Sequence, residues 1–132
     1  MAYHRGTGNV IFFGYNAVAD QMETWRYSGG AWSQLSPAVQ PPGPRNNHNM
    51  AYLKWSATQD YILMYGGTDE ESTGRVQYGD MWLFEDSGGG TWHRLWNRYE
   101  LDHNFRSCKA GMVYDIARER TIIYGGIDHF TG

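Results

Sequence analysis

Cysteine occurs once, at Cys108, which excludes an internal disulfide, a cysteine zinc knuckle and a dithiol redox pair. A lone thiol of this kind is expected as a small apolar residue near the start of a strand. No apolar run approaches the roughly 20 residues needed to span a bilayer, so no membrane partner is expected. The opening Met1-Ala2-Tyr3-His4-Arg5 lacks the apolar stretch of a secretory signal, which leaves the compartment open. Positive charge is sparse and scattered. Eleven Lys and Arg lie among 14 Asp and Glu for a net charge of −3, with no basic stripe to neutralise a phosphate backbone, and nucleic acid is not an expected partner. Helix-period stripes are also missing. The longest candidate, residues 115–120, reads as a charged hairpin turn between two strand-like runs. Proline is confined to Pro37, Pro41, Pro42 and Pro44, and these cannot donate to a strand ladder, so they mark a connection.

What the chain does have is aromatic and glycine residues. At 132 residues it is long enough for one sizeable core. Its 10 Tyr, 6 Trp and 17 Gly suit many short strands better than helices. The organising run is Tyr61-Ile62-Leu63-Met64-Tyr65-Gly66-Gly67, which returns as Thr121-Ile122-Ile123-Tyr124-Gly125-Gly126 and, more weakly, as Val10-Ile11-Phe12-Phe13-Gly14-Tyr15. A continuous apolar run of strand length suits a strand buried on both faces. The closing glycines supply positive φ or close backbone approach where the chain leaves the sheet.

Aligning these runs brings the rest into register. Met1-Ala2-Tyr3, Met50-Ala51-Tyr52 and Met112-Val113-Tyr114 precede them at offsets of 49 and 62. That is near the period of about 50 of one class of propeller repeat. After the first two runs comes a tryptophan strand, Glu23-Thr24-Trp25-Arg26-Tyr27 or Asp80-Met81-Trp82-Leu83-Phe84. A glycine turn and a short last strand follow, Ala31-Trp32-Ser33-Gln34-Leu35 or Thr91-Trp92-His93-Arg94-Leu95. Each complete unit is four short antiparallel strands.

In this pattern the chain resembles the kelch repeat family, over nearly its whole length. Arg45 and Arg106 resemble the arginine that often leads into the family's first strand. Two departures are Tyr15 in place of a second glycine, and tryptophan pairs spaced 7 and 10 apart. The resemblance implies an all-β fold of kelch-type β-propeller blades, four-stranded and antiparallel, forming an incomplete ring of about two and a half blades. The expected boundaries are blade one at 1–35, a connection at 36–47, blade two at 48–96, a connection at 97–107 and a half blade at 108–132. Such a piece leaves faces carrying Trp25, Trp82, Phe13 and Tyr65 in need of neighbours. It is expected either to belong to a larger propeller or complex, or to complete itself as a homo-oligomer.

Strand direction then groups the loops. The second-to-third-strand loops, 16–22 and 68–79, are expected to be long and polar. They share a face with the connections 36–47 and 97–107, while the opposite face has tight turns. Long loops on a rigid scaffold are the usual place for recognition. The candidate partner-binding residues are Arg45, Asp69, Glu70, Glu71, Arg75, Arg98, Tyr99 and Arg106. For Asp69, Glu70 and Glu71 the plain alternative is a solvated acidic loop. For Arg45 and Arg106 it is a structural role on backbone carbonyls, against bidentate capture of a partner's carboxylate.

None of His4, His48, His93, His103 and His129 has metal-ligand spacing, although Asp102-His103 and Asp128-His129 form a suggestive pair of dipeptides. No nucleophile elbow or phosphate loop is present. The expectation is a non-enzymatic protein- or peptide-binding scaffold with no cofactor and no metal. One alternative is a carbohydrate-binding or galactose-oxidase-like domain, for which Tyr99, Cys108 and Tyr114 are the only material for a Tyr–Cys copper centre. Another is a structural assembly subunit.

Overall fold

The computed structural model describes residues 1–69, 76–95 and 109–126, and every regular element among them is a β-strand. Strands β1 (Ala2–His4), β2 (Asn9–Asn16), β3 (Gln21–Ser28) and β4 (Ala31–Leu35) form one antiparallel meander in chain order. A second meander comprises β5 (Asn49–Lys54), β6 (Asp60–Tyr65), β9 (Met81–Glu85) and β10 (Thr91–Leu95). Between β6 and β9 lies a small pair, β7 (Thr68–Asp69) with β8 (Val76–Gln77). Strands β11 (Gly111–Asp115) and β12 (Arg120–Tyr124) form a hairpin. The chain is thus all-β, with several small antiparallel sheets.

The two meanders carry corresponding cross-strand rows. Across the first, Tyr3, Val10, Tyr27 and Trp32 stand side by side; across the second, Tyr52, Ile62, Phe84 and Trp92 do. The hairpin repeats the start of that row as Tyr114 and Thr121. Because side chains alternate along a strand, each row has a counterpart on the opposite face. That counterpart is Ala2, Ile11, Arg26 and Ser33 in the first sheet, Ala51, Leu63, Leu83 and His93 in the second, and Val113 and Ile122 in the hairpin.

The core lies between the meanders. Ile11, Phe13 and Met22 of the first sheet meet Ile62, Met64, Trp82, Phe84 and Trp92 of the second. Phe13 and Trp92 touch edge to face with centroids 5.1 Å apart. The buried Trp92 indole N–H donates to Thr24 Oγ1 across the interface at 3.0 Å. At its margin Arg26 reaches Asp86 at 2.6 Å, and Thr7 and Asn9 donate to the same carboxylate. Of the four aromatic residues expected to need neighbours, Phe13, Tyr65 and Trp82 are buried. The hairpin runs along β5, with the Tyr114 ring 4.8 Å from that of Tyr52 and Thr121 Oγ1 donating to the Tyr52 carbonyl. The first strand of each unit, β1, β5 and β11, therefore lies beside its counterpart in the next.

One departure in the repeat has a structural consequence. Gly66 and Gly67 take φ of 69° and 107°, and Gly125 and Gly126 take 70° and 104°, a double left-handed step that L side chains avoid. In the second unit this step carries the chain out of the sheet into the excursion 66–80. Tyr15 cannot take it. Strand β2 stays extended to Asn16, and the β2–β3 connection is a turn at 17–20 instead of the expected long loop.

Candidate functional site

Antiparallel pairing places the β2–β3 turn, the β4–β5 connection (36–48) and the β6–β9 connection (66–80) on one rim. The two connections are stitched together. Asn46 N–H donates to the Thr68 carbonyl at 2.7 Å, and Thr68 N–H returns to the Asn46 carbonyl at 2.8 Å. Beneath that bridge sits Arg45, fully buried. Its guanidinium forms a two-pronged pair with Asp80, at 2.6 and 2.8 Å, and donates to the carbonyls of Gly66 and Pro42. The Tyr78 ring lies flat against it, 3.9 Å from centroid to Cζ. Tyr78 in turn donates its hydroxyl to the Pro44 carbonyl. A buried charge is tolerated when it is paired and hydrogen-bonded, and four such bonds, two of them to Asp80, hold the guanidinium here.

Asp80 completes the node. Burial pushes its carboxyl up, but the hydrogen bonds and charge of Arg45, with the indole N–H of Trp82 at 2.7 Å, outweigh burial and hold it below the usual carboxylate value. The first sheet repeats the acid–tryptophan half of this arrangement, where Trp25 donates to Glu23 at 2.8 Å. His48 ties the rim to the first sheet. Its Nε2 lies 3.0 Å from the Phe13 carbonyl, which can only accept, so Nε2 carries the proton. Burial first, then the positive charges of the chain's amino terminus and Arg45, drive the His48 pKa down to about 4, so the ring is neutral at pH 7.

The sequence-derived candidates divide accordingly. Arg45 does make a bidentate carboxylate pair, but the carboxylate is Asp80 of the same chain. The guanidinium is fully buried and turned onto its own chain, so Arg45 holds the rim together. Asp69, expected in a solvated acidic run, is buried, because β7 pairs with β8 beneath the Asn46–Thr68 bridge. Glu70, Glu71, Arg75, Arg98, Tyr99 and Arg106 lie outside the described residues, as do Cys108, His103 and His129.

Two clefts escaped the sequence analysis. One, of about 500 Å³, opens on the rim between the β2–β3 turn and the proline-rich connection. Its walls include Tyr15, Asp20, Gln21, Gln40 and Pro44, and Tyr15 donates its hydroxyl to Asp20 at 2.6 Å. The other, of about 240 Å³, lies at the opposite end among tight turns. There a buried His4 sits 3.8 Å from Asp60, with Tyr61, Glu85 and Asp86 around it. Neither cleft has a sequence signal. The first joins a turn of the first sheet to the connection about 20 residues further on, and the second forms only where turns of the two sheets meet.

No protein-family model, curated protein or solved structure matches this chain.

Proposed function

We propose that the chain is a non-enzymatic recognition scaffold of the kelch propeller type, whose stitched rim takes a protein or peptide. One observation carries the reading. Two connections are bridged side by side over a buried Arg45–Asp80 pair, so the loops stand on a fixed base. The propeller assignment draws support from the two equivalent meanders and the hairpin, whose first strands lie beside one another. The rim cleft beside Tyr15 and Gln40 adds a concave polar wall suited to an extended segment.

The test is loop replacement. Asp69 and Val76 are cross-strand partners, so a two-residue Asn-Gly link closes β7 to β8 in place of residues 70–75. Peptides selected against the parent chain from a displayed library should lose binding to this variant at least tenfold, while its tryptophan emission and unfolding midpoint stay unchanged. Undiminished binding would remove the loop from the site.

The carbohydrate alternative rests on the opposite cleft, beside which Trp55 is exposed and meets Tyr61 edge to face at 6.4 Å. A stacking ring near a cleft lined by Asp60, Glu85 and Asp86 suits a sugar. Glycan-array signal lost in Trp55→Ala, with the loop variant unaffected, would favour that reading over the first.

A further inference from the structure

The two sheet faces at the ends of the stack are halves of an interface that the chain already builds once inside itself. Within the chain, the Tyr52–Ile62–Phe84–Trp92 face of the second sheet closes on the face of the first that carries Ile11 and Phe13. The first sheet presents the same row in the same register, Tyr3–Val10–Tyr27–Trp32, but it faces solvent. Trp32 is 47% exposed where its counterpart Trp92 is 3%, and Tyr27 is 38% exposed where Phe84 is 0%. A shallow apolar cleft lined by Met1, Phe12, Trp25 and Trp32 opens on this face.

At the other end the situation is complementary. Val113, Ile122 and Tyr124 of the hairpin occupy the register positions of Ala2, Ile11 and Phe13, and of Ala51, Leu63 and Tyr65. Both of those sets form buried or nearly buried sheet faces. In the hairpin, Tyr124 is 84% exposed. An aromatic row of one kind is thus bare at one end, and the surface type that covers such a row inside the chain is bare at the other. The direction of stacking from hairpin to second sheet to first sheet continues unbroken into the bare aromatic face.

We infer that the occupant of the Tyr3–Trp32 face is a second copy of this chain, seated by the outer face of its β11–β12 hairpin. The contact is heterologous, head to tail, because its two halves are different surfaces of one molecule. This inference stands apart from the rim-binding reading and needs only the stack of sheets.

Trp32→Glu should block the aromatic half and Ile122→Glu the hairpin half. Tyr124→Glu, at a side chain that is almost entirely exposed, repeats the second block with little risk to folding. In a sedimentation-velocity series the unaltered full chain should associate with rising concentration. Each variant alone should need at least tenfold more protein to associate, with near-ultraviolet circular dichroism unchanged. An equimolar mixture of Trp32→Glu with Ile122→Glu, or with Tyr124→Glu, should recover a 1:1 dimer, because each copy keeps the half that the other has lost. A parent chain that is monomeric at every concentration overturns the inference. So does association insensitive to all three substitutions. A mixture that stays monomeric refutes the head-to-tail geometry and points to a self-complementary face.

Discussion

The ring of His48 makes one quantitative prediction about pH. Its pKa falls from 6.5 to about 4 on folding, chiefly because burial disfavours the charged ring. Between those two values the unfolded chain binds the proton and the folded chain does not, so acid favours unfolding. The stability is therefore complete above pH 6.5, declines as pH falls through the window to 4, and levels off below it. At about 1.36 kcal/mol per unit the whole window is worth about 3 kcal/mol, and the fall from pH 7 to pH 5 about 2 kcal/mol. The carboxylates held low in the fold, such as Asp80 and Asp86, withdraw their contribution only as pH falls through the acidic range below this interval. Urea unfolding followed by tryptophan emission at pH 7 and pH 5 measures the difference directly. His48→Gln keeps a side-chain N–H for the Phe13 carbonyl but cannot titrate. Its stability should change less than that of the parent between the two pH values, by about the same 2 kcal/mol. An equal slope in the two proteins would refute the account of a buried neutral ring.

Three further substitutions probe the joints of the structure. Asp80→Asn leaves the Arg45 guanidinium buried without its counter-charge, and chemical denaturation should show a loss of about 3–5 kcal/mol. Gly67→Ala forces a left-handed φ of 107° on a residue with a side chain and sets its Cβ 2.7 Å from the Asn46 carbonyl oxygen. It should cost about 3 kcal/mol, whereas Gly29→Ala, at positive φ but in open space, should cost about 1 kcal/mol in the same denaturation experiment. Thr24→Val removes the acceptor of the buried Trp92 indole N–H, and a loss of about 1–3 kcal/mol in urea is expected.

The strands of the two meanders and the hairpin were legible because each announces itself locally, whereas the short β7 and β8 fall inside the stretch 68–79 expected as a polar loop. Ile62-Leu63-Met64-Tyr65 is long enough and apolar enough to be a strand buried on both faces, and Gly66-Gly67 can only be its exit. The same local logic explains the failure at 16–22. Replacing one glycine by Tyr15 removes the left-handed step, and with it the loop. The rim was legible in composition but not in pairing. A leading arginine and an acid two residues before a tryptophan are both visible in the chain. That Arg45 closes on Asp80, 35 positions away, depends on how two irregular connections fold against each other, and no periodicity encodes that. His48 and Asp69 are harder still. A histidine and an acid in polar stretches look solvated until the Asn46–Thr68 bridge is known to lie over them.

This distribution of buried charge bears on what the rim can recognise. A loop that binds a partner must hold its shape without using the side chains that meet the partner. Here the shape is held by groups bonded within the chain: Arg45 on Asp80, Gly66 and Pro42, Tyr78 on Pro44, and His48 on Phe13. Selectivity must then come from residues that project from the stitched connections, so changing those residues should alter which partner binds without altering stability. Breaking the Arg45–Asp80 pair should do the reverse, lowering stability while leaving the preference of the surviving folded fraction unchanged. The two classes of variant separate scaffold from specificity. A rim variant that shifted both together would mean that the recognition surface and the node beneath it are one cooperative unit.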